Sequence, residues 1–138
     1  MRALLTGGSG FVGCHVAQIL GERGVSTRAL VRKNSRRDNL INLDPRLLEF
    51  FEGDLNDAKS LREAIRGCDI LYHVAADYRL WAKDPQELYR SNVQGTRDLL
   101  QAALEEGVPL HLEHLAYPGG PVLQIGRASC RERVSPRV

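Results

Sequence analysis

The chain alternates two kinds of apolar pattern. Residues 2–6 are a short segment with an apolar centre, Ala3-Leu4-Leu5, and are followed by glycines, the signature of a buried strand. Phe11, Val12, His15, Val16, Ile19 and Leu20 then recur at helical spacing and stop at Gly21 and Gly24, predicting an amphipathic helix. Residues 25–31 predict a second strand, which completes one strand–helix–strand unit in about thirty residues. The pattern repeats with a third strand at 47–51, polar at its end. A helix follows, capped by Asn56 or Asp57, with Leu61, Ala64 and Ile65 as its apolar stripe and Gly67 as its stop. A fourth strand spans 69–74. Asp84 and Pro85 then open a long helix carrying Leu88, Val93, Leu99, Leu100, Ala103 and Leu104, which ends at Gly107.

Strands that alternate with helices imply an α/β fold, a doubly wound parallel sheet of the Rossmann kind. Four strands are clear and such a sheet needs one or two more. The expectation is therefore an incomplete N-terminal part of that fold. After Gly107 the chain offers only a ragged apolar set, Leu110, Leu112 and Leu115.

Chemistry enters at the first turn. Thr6-Gly7-Gly8-Ser9-Gly10-Phe11-Val12-Gly13 joins the first strand to the first helix. A pyrophosphate is approached by backbone N–H groups, and side chains would block them. Gly7, Gly10 and Gly13 answer three needs: the tight turn, the close approach, and the packing of helix on strand. Phe11 and Val12 begin the helix, whose positive end faces the phosphates. A Walker phosphate loop is excluded because no Gly-Lys-Ser/Thr follows.

The spacing TGxxGxxG resembles the short-chain dehydrogenase/reductase superfamily, in its extended branch, the NAD-dependent epimerase/dehydratase family. Gly53-Asp54-Leu55, His73-Val74-Ala75-Ala76 and Asn92-Val93-Gln94-Gly95-Thr96 agree with it. The segment 76–81 with Asp84-Pro85 resembles the dihydroflavonol-4-reductase-like group, and within it the bacterial hopanoid-associated sugar epimerases. The likeness extends to about residue 108. It implies that Asp54 and Leu55 lie beside the adenine and that Ala75 and Ala76 let the cofactor pass. It also implies that the parent protein is an enzyme acting on a hydroxyl or carbonyl of a small molecule, with a nucleotide-linked sugar or a dihydroflavonol-like compound as candidates.

The end of the second strand selects the cofactor. An acid there would hold the ribose hydroxyls of NAD, and an arginine would take the extra phosphate of NADP. The strand ends in Val31-Arg32-Lys33, with Arg36 and Arg37 close behind and no acid before Asp38. Arg32, with its planar fork, is the expected phosphate ligand, so NADP is expected over NAD. Arg36 and Arg37 read as a solvated basic loop. His73, inside an apolar strand, reads as a packing residue. Asp77 and Tyr78 read as a loop at the cleft, either touching substrate or plain surface.

Reaction in this superfamily needs a Tyr-x-x-x-Lys pair, whose spacing puts both side chains on one helix face. Tyr72, Tyr78, Tyr89 and Tyr117 are followed four residues later by Ala76, Ala82, Val93 and Pro121. No catalytic residue is therefore assigned, and the chain alone is expected to be inactive. A non-catalytic NADP-sensing protein is the alternative. Residues 125–134 match a translated sequencing adaptor, and a frame slip near Val108 would account for the damaged strand before it. The expected organisation is a partial cofactor domain over 1–117 and a non-native or disordered tail over 118–138.

Composition changes little in this picture. Of 138 residues, 43% are hydrophobic and 26% charged, ordinary for a globular protein. The net charge of +2 comes from the tail: without residues 125–138 the chain has 15 Lys+Arg against 16 Asp+Glu. Nothing in the body argues for nucleic acid. Cys14, Cys68 and Cys130 have no metal-ligand spacing, and no metal site is expected. No apolar run could span a bilayer. The first apolar stretch, Ala3-Leu4-Leu5, ends at once in glycines, unlike a signal peptide, and a cytoplasmic location is expected.

Overall fold

The computed structural model describes residues 1–77, 79 and 81–108, and the backbone alone at 110–111. Tyr78, Leu80, Leu112, Leu115, Tyr117 and the tail expected at 118–138 lie outside the described residues. The sheet contains β1 (Arg2–Thr6), β2 (Ser26–Val31), β3 (Leu48–Glu52), β4 (Ile70–His73) and β5 (Leu110–His111), all parallel, in the order β3-β2-β1-β4-β5. This is the doubly wound arrangement. The chain moves outward from β1 to β3, then returns to the other side of β1.

Both faces of β1 are covered because its side chains alternate. Leu4 points to the face of α2 (Ala58–Ile65) and α4 (Gly95–Glu105). There it meets Leu30, Leu61, Ala64, Ile65, Leu71, Leu99 and Ala102 in one contiguous buried cluster. Ala3 and Leu5 point to the face of α1 (Phe11–Glu22), in two smaller clusters with Leu20, Val25, Ala17 and Leu40.

Several boundaries differ from the sequence reading. In α1 the buried stripe is Gly13, Ala17 and Leu20, while Phe11, Val12, His15 and Ile19 are exposed. Small residues win this face because α1 lies close on the strand it follows. The long helix is three segments in continuous helical conformation: α3 (Pro85–Tyr89), a π-helical turn (Arg90–Gln94) and α4. A π turn shifts the register of the helix face, and such turns recur at functional sites. It was not visible in the apolar spacing. The ragged fifth strand forms as two residues, with Leu71 and Tyr72 of β4 paired to Leu110 and His111.

Capping behaves as expected. Asp57 accepts from the Lys59 N–H at 3.0 Å and Asp84 from the Gln86 N–H at 3.0 Å, with Pro85 in the first turn. Gly67 takes φ +74° beyond the end of α2, a left-handed conformation that favours glycine. Arg28 of β2 closes the end of α2. Its guanidinium donates to the carbonyls of Ala64 (2.8 Å) and Arg66 (3.0 Å), pairs with Glu49 (3.1 Å) and lies 5.5 Å from the Phe51 ring centre. Its side chain is only 11% exposed, so it also covers apolar surface with its stem.

Candidate cofactor-binding site

The carboxyl ends of β1, β2, β3 and β4 lie along one sheet edge, and the chain reverses between β1 and β4. Ligands of doubly wound sheets bind at this switch point. The sequence-predicted residues gather here: Gly7, Gly10, Phe11, Val12 and Gly13 after β1, Arg32 after β2, Asp54 and Leu55 after β3, and Ala75 and Ala76 after β4.

The glycine turn is fixed by contact between backbones. Gly7 has φ +74°, and a Cβ there would lie 2.6 Å from the Ala75 nitrogen and 2.8 Å from its Cα. A Cβ on Gly13 would collide with the Gly7 carbonyl. The Gly10 N–H donates to that same carbonyl at 3.0 Å, closing the turn. Gly10 is the N-cap of α1 and provides no side-chain cap, and the first turn carries no acid. The N–H groups of Phe11, Val12 and Gly13 therefore lack an intrahelical partner and point out of the helix end, where an anion is stabilised. Phe11 is 80% exposed at this rim. Its ring packs on His15 with centroids 4.9 Å apart.

The loop after β2 is built from side chains. Arg36 is engaged by Asp38 (2.7 Å). Arg37 pairs with Glu52 (3.4 Å) and lies over the Phe50 ring at 4.9 Å. Among the described residues the Arg32 guanidinium has no hydrogen-bond or ion-pair partner. Its backbone N–H donates to Ser35 Oγ at 3.1 Å. Asn39 ties this loop to the glycine turn by donating to the Ser9 carbonyl at 3.0 Å.

After β3, Gly53 leaves room for the Leu30 and Ser60 side chains. Asp54 Oδ1 accepts from the Asn56 N–H at 2.8 Å. Leu55 packs against the α2/α4 cluster, and its carbonyl would lie 2.7 Å from a Cβ on Gly95. Gly95 is therefore what lets α4 approach this loop.

After β4, three polar residues meet whose sequence gave no joint signal. Thr6, 1% exposed, places Oγ1 2.6 Å from His73 Nδ1, and His73 Nε2 lies 2.9 Å from Thr96 Oγ1. Burial holds the His73 imidazole below the ordinary histidine value. The packing role expected for His73 is thus carried by hydrogen bonds at both ring nitrogens. Asn92, on the π turn, donates to the Asp77 carbonyl (2.7 Å) and accepts from the Asp77 N–H (2.7 Å). The available signal was the four-residue spacing of Asn92 and Thr96, which brings Asn92 to the loop after β4 and Thr96 to the end of β4. Asp77 itself is held by Arg79 at 2.6 Å, and Arg79 also reaches Glu87 at 3.3 Å. The Arg79 guanidinium keeps the Asp77 carboxyl below the usual carboxylate range. Among the described residues no cluster of His, Cys, Asp or Glu could hold a metal, and no helix is long and apolar enough to cross a membrane.

A parallel sheet in the order 3-2-1-4-5, with a glycine turn at its switch point, defines the dinucleotide-binding half of a Rossmann protein. The model of the NAD dependent epimerase/dehydratase family matches residues 3–117. The chain belongs to that family. It is 50% identical over 104 residues to a Synechocystis protein whose name carries dihydroflavonol 4-reductase as a provisional assignment, covering 75% of this chain and 29% of that protein. The crystal structure of gox2253 is 50% identical, with TM-score 0.69, over 78% of this chain and 32% of that one. The UDP-glucose 4-epimerase of Thermus thermophilus, solved in complex with NAD, is 30% identical with TM-score 0.71, over 99% of this chain and 44% of that one. The chain therefore spans less than half the length of each.

Proposed function

We propose that this chain is the NAD(P)-binding part of an oxidoreductase or epimerase whose whole form acts on a hydroxyl or carbonyl of a small molecule. The observation that carries this reading is the glycine turn. Gly7 and Gly13 pack with no room for a Cβ, and the first α1 amides beside them have no intrahelical partner and no side-chain cap. That cradle fits a pyrophosphate. The bound cofactor would supply hydride chemistry, while the chain's own residues bind and orient it. Gly7, Gly10 and Gly13 admit the phosphates to the amides of Phe11 and Val12. Asp54 and Leu55 flank the adenine side. Ala75, next to Gly7, and Ala76 after it are small and leave the passage toward the nicotinamide. A nucleotide sugar and a dihydroflavonol-like compound are the candidate substrate classes, from the names of the relatives above.

NADP is the proposed cofactor, with NAD second. Arg36 and Arg37 are committed to Asp38 and Glu52, which leaves Arg32 as the guanidinium for a 2′-phosphate. The Thermus epimerase was solved with NAD, so this preference rests on Arg32 alone. Residues 1–117 are proposed as the partial cofactor domain, with 118–138 a non-native or disordered tail, in a cytoplasmic protein. No catalytic residue is assigned, and the isolated chain is expected to show no turnover.

Titrating the chain with NADPH and with NADH, followed by calorimetry, tests this. NADPH is expected to bind more tightly, and Gly13→Ala to abolish binding of both. Failure of the chain to bind either dinucleotide would overturn the proposal. Tighter binding of NADH, unaffected by Arg32→Ala, would remove its NADP arm.

A further inference from the structure

We propose that His73 is a positioning residue for the cofactor turn. In its neutral Nε2–H form it links Thr96 to Thr6 and so sets where the Ala75 backbone sits against Gly7. This rests on the cofactor reading above, and its geometry stands independently. Thr6 Oγ1 accepts from the Ala75 N–H at 3.3 Å, and the Thr6 carbonyl accepts from the Val74 N–H at 3.3 Å. These two bonds continue the β1–β4 pairing beyond its last strand partners, Thr6 and His73. Ala75 is the residue whose nitrogen would lie 2.6 Å from a Cβ on Gly7. The Thr6 hydroxyl therefore controls the backbone that faces the turn.

Hydrogen-bond accounting fixes the tautomer. A hydroxyl has one hydrogen to donate. The Thr6 hydroxyl is buried, accepts from Ala75, and among the described residues has His73 Nδ1 as the acceptor for its own hydrogen, at 2.6 Å. A donating Nδ1–H would leave that hydrogen buried and unpaired, at a cost of about 1–3 kcal/mol. Nδ1 is therefore the acceptor, and Nε2–H donates to Thr96 Oγ1 at 2.9 Å. No buried side-chain nitrogen or oxygen among the described residues is left without a partner, in keeping with this assignment. The chain of contacts runs from α4 through Thr96, His73, Thr6 and Ala75 to Gly7. A change on a helix outside the phosphate cradle is thereby transmitted to the cradle.

The test avoids removing the imidazole, which could unfold the chain. Thr96→Val keeps the shape at the half-exposed end and deletes the acceptor of Nε2–H; Thr96→Ser keeps the hydroxyl. Nitrogen-15 spectra of the wild-type chain are expected to show His73 with its proton on Nε2. In Thr96→Val, amide exchange at Ala75 is expected to rise about fivefold and the dinucleotide Kd to weaken about fivefold, the equivalent of one neutral hydrogen bond. Thr96→Ser is expected to restore both. An Nδ1–H tautomer in the wild type would overturn the proposal. So would a folded Thr96→Val chain with a lower Tm but unchanged Ala75 exchange. If the wild type binds no dinucleotide, the cofactor reading fails, while the tautomer and Ala75 exchange still decide this one.

Discussion

The glycine turn and the loop after β2 border the same sheet edge and are built in opposite ways. The turn is backbone against backbone. Gly7 meets Ala75 and Gly13 meets the Gly7 carbonyl, with no side chain between them. The β2 loop is made of charged side chains, two of whose arginines are neutralised by acids and one of which is left unpaired among the described residues. Steric exclusion acts over tenths of an ångström and leaves no alternative. Charges near water rearrange at little cost. The first wall should therefore fail abruptly when altered, and the second should change preference by degrees.

The largest effect should come from Gly13→Ala. Its methyl group has no space, and overpacking of this kind costs about 1–3 kcal/mol or more. Dinucleotide affinity should fall at least 100-fold, and the Tm should drop by several degrees in a calorimetric scan. Retention of wild-type affinity would mean that the turn is not the phosphate cradle.

Arg32→Ala should come next, acting on preference alone. Losing a charge-assisted bond of about 1.5–3 kcal/mol weakens NADPH binding roughly 10- to 100-fold, while NADH binding should hardly move. A uniform loss for both cofactors would show that Arg32 shapes the loop instead of reading a phosphate.

Acidification should then weaken the fold through His73. Its imidazole is held below the ordinary value near 6.5 by burial, so the unfolded chain takes the proton first. The stability it contributes is complete above about pH 6.5 and is lost as pH falls toward the folded-state value, by at most about 1.4 kcal/mol per pH unit. Asp77 is held lower still, below the usual carboxylate range by its bonds to Arg79, and does not overlap this window. Urea titrations between pH 7 and pH 5 would show the slope. A flat profile would mean that His73 protonates as easily folded as unfolded.

The smallest effect is expected from Arg37→Ala. Its partner Glu52 is 60% exposed, and exposed pairs contribute little, so NADPH affinity should change less than about threefold. A loss as large as that of Arg32→Ala would move the phosphate site along the loop.

Legibility followed the same division. Apolar runs and glycine stops disclosed β1 through β4, α1, α2 and the cap at Asp84, because those signals are local. The buried side of α1 was misjudged. Its spacing favoured Phe11, Val12 and Ile19, whereas close approach to the sheet selected Gly13 and Ala17. The π turn escaped because one extra residue in a helix leaves no mark in composition. The polar contacts of Arg28 and His73 escaped, because their partners, the carbonyls at the end of α2 and Thr96, lie 23 to 38 residues away.

By itself the sequence determined the alternation of strands and helices, the positions that tolerate only glycine, and the basic character of the β2 end. These depend on backbone sterics and on residue type within one turn. Tertiary structure alone decided which arginine makes no ion pair among the described residues, which face of α1 is buried, and how Thr6, His73 and Thr96 meet. Those outcomes depend on strand order, which brings β1, β4 and α4 together across gaps that no local pattern spans.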